Sequence, residues 1–498
     1  MNLPTFLWII LLPVLASPVI YLAGRLVRNS RFVRLPALLA FLALAGTWSP
    51  FVLAARQLAV GQDLAYTLGS VTLRMDGLGL LLAAVALGLG TLVSLYSGPY
   101  LAKENNQEKF YAMLVMLVGM IAGLGCAADL FNLWIWFEAM AISSYLLVAF
   151  YRDQPASLEA GFKYLVQSAA GSVLVVIGIG LVFAVTGTLD LARIHATAWS
   201  SPLLLAAGAL FVTGFGVKAA LVPLHTWLPD AHSQAPSGIS AMLSGVVIEA
   251  GLVALLRVLA ALLAVSNAWA FVLLTFSALN MLVGNLLALR QKQIKRLLAF
   301  SSLAHVGYML LGLGITFYTA QAAGAQGSLF HLLTHALMKG LAFLSAGVLL
   351  YCLYIADGKH GPLLVEDLAG AAKRYPLAAL GLSLAVLGLG GLPPLAGFMS
   401  KWQIFVAGFQ TRNLWIELLV VFAALNSVLS LAYYAPLVNA MYRLKPSERV
   451  AAGKPMPWLM GLPVGLIGLA IVVLGVWPGL VTWLTGPAAQ ALVTSLIR

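Results

Sequence analysis

The sequence predicts an all-α polytopic membrane protein of about fourteen transmembrane helices, the seventh and twelfth of them broken. Three observations predict it. Of 498 residues, 62% are hydrophobic and only 9% charged, whereas a soluble domain carries about a quarter charged residues. The apolar runs are continuous, not alternating, so helices and not barrel strands satisfy the backbone inside lipid. The few polar residues inside these runs gather beside Pro/Gly clusters.

A span needs about 20 apolar residues to cross roughly 30 Å of hydrocarbon. By that measure the spans fall near 5–24, 35–55, 76–98, 111–127, 130–150, 160–185, 202–232, 238–262, 267–289, 294–315, 325–354, 375–410, 414–442 and 459–483. The opening stretch lacks a basic segment before its apolar run, so it reads as a retained first helix and not a signal peptide. Cys126 and Cys352 lie far apart in apolar runs. Without a CxxC or Cys/His cluster, no iron–sulfur, haem or other cofactor is expected of this chain.

The net charge is +12. Loops after odd-numbered spans hold Arg25, Arg28, Lys103, Lys109, Arg152, Lys292, Arg296, Lys373, Arg374, Arg443 and Lys445, against Arg56, Arg74, Arg193, Arg412 and Arg498 opposite. The positive-inside rule then places both termini outside the cytoplasm of a prokaryotic cell. The loops account for the positive charge, so the expected partners are the bilayer and other membrane subunits, with no nucleic acid.

Ionisable residues inside spans are expensive and mark candidate functional sites. Glu138 sits mid-span in "FNLWIWFEAMAISSYLL". A lone carboxylate there favours its neutral form, while a nearby lysine keeps both groups charged. In "FVTGFGVKAALVPLHTWLPDAH", Pro223 clashes with the carbonyl of Ala219. The helix is expected to break beside Lys218 and to restart at Pro223. Carbonyls freed by the break favour a cation. "LGLGGLPPLAGFMSKWQIF" repeats the device with Lys401. Paired broken helices commonly mark ion sites in transporters. Metal binding by His225, Asp230 and His232 is disfavoured, because the two histidines lie seven residues apart with no further ligands in view.

Between the breaks, His331, His335 and Lys339 recur every four residues and share a helix face. His305 adds another group able to pass protons. His331 lies nearer its span start and carries less weight. Ser237, Ser240 and Ser244 precede Glu249 in the eighth span. Lys163 and Arg257 lie near span ends and are expected to snorkel. Ser244, His232 and Lys163 are accessory candidates.

Together, "WFEAM", "GFGVKAALVPLHTWLPDAHSQAPSGISAMLSG", "KRLLAFSSLAHVGYMLLG", "HLLTHALMKGLAFL" and "GLPPLAGFMSKW" resemble the antiporter-like membrane subunits of complex I, group 4 membrane-bound hydrogenases and Mrp-type sodium/proton antiporters. The resemblance covers about residues 70 to 440. It implies fourteen helices with inverted five-helix repeats at 111–262 and 263–442, between helices one to three in 1–110 and a C-terminal helix in 443–498. It also implies proton translocation through Glu138, Lys218, Glu249, His305, His335, Lys339 and Lys401, with the driving reaction in partner subunits. Glu138 is expected to pair with Lys218. The eighth-helix position is usually Lys or His in complex I members, so Glu249 is a departure. A carboxylate there can pair with Lys218 or accept sodium, and it leans the reading towards the hydrogenase/Mrp-like branch. Sodium coupling stays open. The alternative is a scaffold subunit whose buried ion pairs only fix helix packing.

Overall fold

The computed structural model describes residues 3–28, 32, 34–69 and 71–497. Arg498, counted above on the less basic side, lies outside the described residues. The chain forms α1 (Trp8–Val27), α2 (Leu35–Ala59), β1 (Leu64–Leu68), β2 (Val71–Met75), α3 (Gly77–Tyr100), α4 (Gln107–Cys126), α5 (Leu130–Val148), α6 (Pro155–Thr186), α7 (Leu191–Thr197) and α8 (Pro202–Lys218). It continues with α9 (Trp227–Gln234), α10 (Ser237–Met242), α11 (Ile248–Ala261), α12 (Ala268–Ala288), α13 (Ile294–Thr319) and α14 (Ala322–Leu353). The last third forms α15 (Ala371–Arg374), α16 (Pro376–Gly390), α17 (Ala396–Gln410), α18 (Leu414–Arg443), α19 (Glu448–Ala452), α20 (Trp458–Val476) and α21 (Thr482–Ile497). Among the described residues, thirteen segments are long and apolar enough to cross a membrane. The two shorter apolar helices, α8 and α16, are the first halves of the broken spans.

The helices sort by what they carry. The segment Ser237–Ala261 and helix α13 are wholly surrounded by protein, and α14 nearly so. These three hold Glu249, His305, His331, His335 and Lys339, all buried. Helices α2, α6 and α18 turn most of their apolar surface outward. Helix α14 is the hub, packing on α13, α16, α17, α20 and α10.

The molecule has two chemically distinct ends. At one, loops carrying basic residues are tied together. Lys103 Nζ donates to Ala356 O at 2.6 Å, Arg374 to Gly453 O at 2.5 Å, and Arg449 to Asp367 at 2.9 Å. At the other end, Asp76 caps α3 by accepting from Gly79 N at 2.8 Å and takes two bonds from Arg257, at 2.9 and 2.8 Å. Arg257 also donates to Gly125 O at 2.6 Å. It is therefore a mostly buried tie between α3, α4 and α11, not a snorkelling side chain.

Two elements depart from the sequence expectation. Strands β1 and β2 pair antiparallel, with Leu64 opposite Met75 and Leu68 opposite Val71. "LAYTLGSVTLRM" is too short to span and mixes Thr and Tyr with apolar residues, which suits a half-buried hairpin. The C-terminal region holds two segments long and apolar enough to cross a membrane instead of one. Helix α21 packs on α3, α14 and α11, and its last turns share a cavity with Asp76, Asp190 and Arg257. Gln490, Thr494 and Ser495 interrupt its apolar character and line that cavity, which hid the helix from a hydropathy reading.

Both breaks exist, but the first is built differently from expectation. Regular helix resumes at Trp227 and not at Pro223. Ala220 has φ +54°, and the chain turns through Leu221–Thr226. Asn280 of α12 makes this irregular backbone tolerable. Its Oδ1 accepts from Val222 N at 2.9 Å, and its Nδ2 donates to Ala220 O at 3.1 Å and Leu303 O at 3.3 Å. Backbone groups inside a membrane need such internal partners. Asn280→Ala removes them and is expected to destabilise the protein by about 2–3 kcal/mol, read as a lowered thermal midpoint of the detergent-solubilised complex.

Candidate ion-translocation site

Lys218 is the last residue of α8 and is fully buried. Its Nζ has no hydrogen-bond partner, and among the described residues no carboxylate lies within 4.0 Å of it. Instead it sits 3.9 Å from the centroid of the Tyr164 ring and 5.8 Å from that of Trp227. The two rings stack on each other at 3.9 Å and 4°. Each is pinned by a polar atom: Tyr164 OH shares a hydrogen bond with Ser144 Oγ at 2.9 Å, and Trp227 Nε1 donates to Val217 O at 2.7 Å. Thus Trp227 takes a carbonyl freed by the break, a role the sequence suggested for the lysine. Across the break, a Cβ at Gly251 would approach Lys218 Cβ to 2.8 Å, so glycine lets α11 close on the lysine.

Glu138 does not form the expected contact pair with Lys218. It is partly buried on α5, and one of its oxygens has no partner among the described residues. Its neighbour Phe137 packs edge-on against Phe215 of α8, with centroids 5.0 Å apart. That contact fixes α5 against α8 while leaving the carboxylate short of the ammonium.

Glu249 also does not pair with Lys218. It bonds His335 Nδ1 through Oε1 at 2.8 Å, both side chains being inaccessible to solvent. A π-helical turn at Leu243–Val247 lies immediately before Glu249, and such insertions often occur at functional sites. From His335 the polar groups run sideways. The His335 and His305 rings lie 5.2 Å apart, in ring contact. His305 Nδ1 is 3.0 Å from His331 Nε2, and His331 Nδ1 is 2.8 Å from Ser400 Oγ. Thr334 Oγ1 donates to the same Ser400 oxygen at 3.1 Å.

Ser400 precedes Lys401, whose Nζ donates to Leu389 O at 2.7 Å and Ser427 Oγ at 2.8 Å. Ser427 in turn donates to Gly390 O at 3.0 Å. The carbonyls freed at the second break are therefore held by Lys401 and Ser427. Tyr308 presents its ring 4.3 Å from Lys401 Nζ.

The remaining candidates divide. His331 is fully buried and bridges His305 to Ser400, so its lighter weighting is corrected. Distance along the span misled, because α14 begins at Ala322 and His331 lies more than two turns inside. Lys339 leaves the histidine row and donates to Leu298 O at 2.8 Å and to Ser301 Oγ. Ser244 bonds Ser302 at 2.6 Å, beside that group. His232 stacks on Phe343 at 4.8 Å, and neither ring nitrogen has a partner. Lys163 is half-exposed and bonds Glu159 at 2.7 Å and Asp230 at 3.2 Å, the latter shared with Arg296. It tethers half-helix α9 at the basic end. Tyr164, Trp227, Asn280, Ser400 and Ser427 were missed as site residues, since aromatic and small polar residues carry no charge signal in a hydropathy reading.

The comparisons with known proteins agree with this architecture. The family described as NADH:quinone oxidoreductase/Mrp antiporter, TM, matches residues 127–427. F(420)H(2) dehydrogenase subunit N of Methanosarcina mazei is 34% identical over 471 residues, covering 92% of this chain and 93% of its own. A chain of the archaeal membrane-bound sulfane sulfur reductase superposes with a TM-score of 0.86 at 27% identity, over 98% of this chain and 99% of that one. A chain of respiratory complex I from Thermus thermophilus gives a TM-score of 0.76 at 28% identity, covering 94% and 98%.

The contact between α11 and α14 can be weighed directly. A double-mutant cycle with Glu249→Gln and His335→Phe is expected to show a coupling energy of about 1–3 kcal/mol, measured by thermal unfolding of the purified complex. Additive effects would mean that the two groups do not interact.

Proposed function

The chain belongs to the NADH:quinone oxidoreductase/Mrp antiporter membrane family, and from that premise we propose that it moves protons across the membrane as one subunit of a larger ion-pumping complex. The observation that supports this reading best is the buried row from Glu249 through His335, His305 and His331 to Ser400, the chain neighbour of Lys401. It crosses four helices that no simple packing need would line with titratable groups, because each such group is costly inside a bilayer. Histidine passes protons through its two ring nitrogens, taking one on one side and releasing one on the other.

In this proposal Lys218 is the central carrier, and Glu138 biases its charge through space. The histidine row passes the proton sideways towards Lys401, with Lys339 and His232 flanking it. The two breaks stand at corresponding places of inverted repeats 111–262 and 263–442. The chain lies in a prokaryotic cell membrane with its basic end in the cytoplasm and both termini outside. The relative from M. mazei is a dehydrogenase subunit, and electron transfer in partner subunits would supply the energy here. No cofactor is assigned to this chain. Its transported ion is H⁺, with Na⁺ coupling as the finer alternative at Glu249.

Lys218→Ala is expected to lower proton translocation by the reconstituted complex more than tenfold while complex yield stays near wild type. Loss of yield with unchanged translocation per complex supports the scaffold reading instead. With proton-only transport, translocation by both wild type and Glu249→Gln is independent of sodium; sodium-stimulated transport that disappears in Glu249→Gln assigns sodium to that site.

A further inference from the structure

The two broken helices treat their lysines differently. Lys401 gives its ammonium two oxygen acceptors and one ring face. Among the described residues Lys218 is met by ring faces only: its Nζ is buried, has no hydrogen-bond partner there, and lies over Tyr164 with Trp227 behind it. A buried ammonium needs compensation from the protein, and an aromatic face is the main attraction a protein can offer it without introducing an acceptor.

The arrangement is built, not incidental. Tyr164 and Trp227 are parallel within 4° and stacked in van der Waals contact. Both are fully buried. Their polar atoms are tied to Ser144 and Val217, so neither heteroatom competes for the lysine and both rings hold their orientation. Trp227 opens the half-helix α9, and its backbone N–H donates to Gln167 Oε1 at 3.1 Å, one turn from Tyr164 on α6. The helix before the break thus supplies the cation, and the helix after it supplies the second ring.

We propose that Tyr164 and Trp227 form an aromatic cradle that holds the charged form of Lys218 away from Glu138. They act as positioning residues for proton transfer at Lys218. The cradle gives the ammonium a resting place that contains no base, so the lysine keeps its proton until it swings to an acceptor. A hydrogen-bonded site like that of Lys401 would hold the proton by direct bonds. The inference rests on Lys218 being a proton carrier.

The test replaces Tyr164 by phenylalanine and then by mono-, di- and trifluorophenylalanine, incorporated at that position in the full complex. Fluorine drains the ring face of negative charge with little change of shape. With Tyr164→Phe as the reference, translocation is expected to fall stepwise with each fluorine, by about tenfold over the series, while complex yield stays constant. Trp227→Leu is expected to lower translocation in the same direction, and Trp227→Phe to restore part of it. Translocation that does not follow fluorine number, in a complex that Lys218→Ala inactivates, overturns the cradle. Translocation that survives Lys218→Ala overturns the carrier reading beneath it.

Discussion

A charged or polar group inside a bilayer has to find its partner within the protein, because lipid offers none. The interior of this molecule follows from that constraint. Where α8 and α16 break, freed backbone groups need acceptors and donors. Asn280 and Trp227 supply them at the first break, Lys401 and Ser427 at the second. Where lysines are buried, they meet carbonyls, hydroxyls or ring faces, and among the described residues Lys218, Lys339 and Lys401 form no direct ion pair with a carboxylate. Neutral partners leave a lysine able to gain or lose a proton without breaking a strong ionic contact.

The same constraint shapes the layers. Glu249 and His305 lie on segments fully surrounded by protein, and His331, His335 and Lys339 on α14, which is nearly so. Small residues allow the inner helices to close. Gly251 admits α11 against Lys218, and Gly245 sits against the backbone of Ala336 on α14, where an added Cβ would come within 3.0 Å of a carbonyl oxygen. Close approach brings Glu249 and His335 to hydrogen-bond distance. Packing and polar chemistry are therefore one design here: the glycines set the spacing across which the buried groups meet.

Charge placement separates the two ends. At the basic end the ion pairs are partly exposed, as with Lys163, Asp230 and Arg296, and such pairs contribute little each. At the other end the Arg257–Asp76 pair is mostly buried and bidentate, and loss of either partner there would strand the other.

The sequence by itself determined all the spans but the last, the two breaks and most of the buried ionisable groups. Hydrophobic length, Pro/Gly clusters and charge are local properties, and they survive without knowledge of the fold. The row of His331, His335 and Lys339 was also legible, since helical periodicity places them on one face. Which partner each group meets was decided only in three dimensions. Glu249 meets His335 and not Lys218, Lys218 meets two rings and not Glu138, and Lys339 turns to α13 instead of following the histidines. Periodicity assigns a residue to a face of its own helix, but the facing helix, its depth and its rotation come from packing among all the helices at once. Tyr164, Trp227 and Asn280 became visible only there, because an aromatic ring or an amide gains its role from what is placed against it.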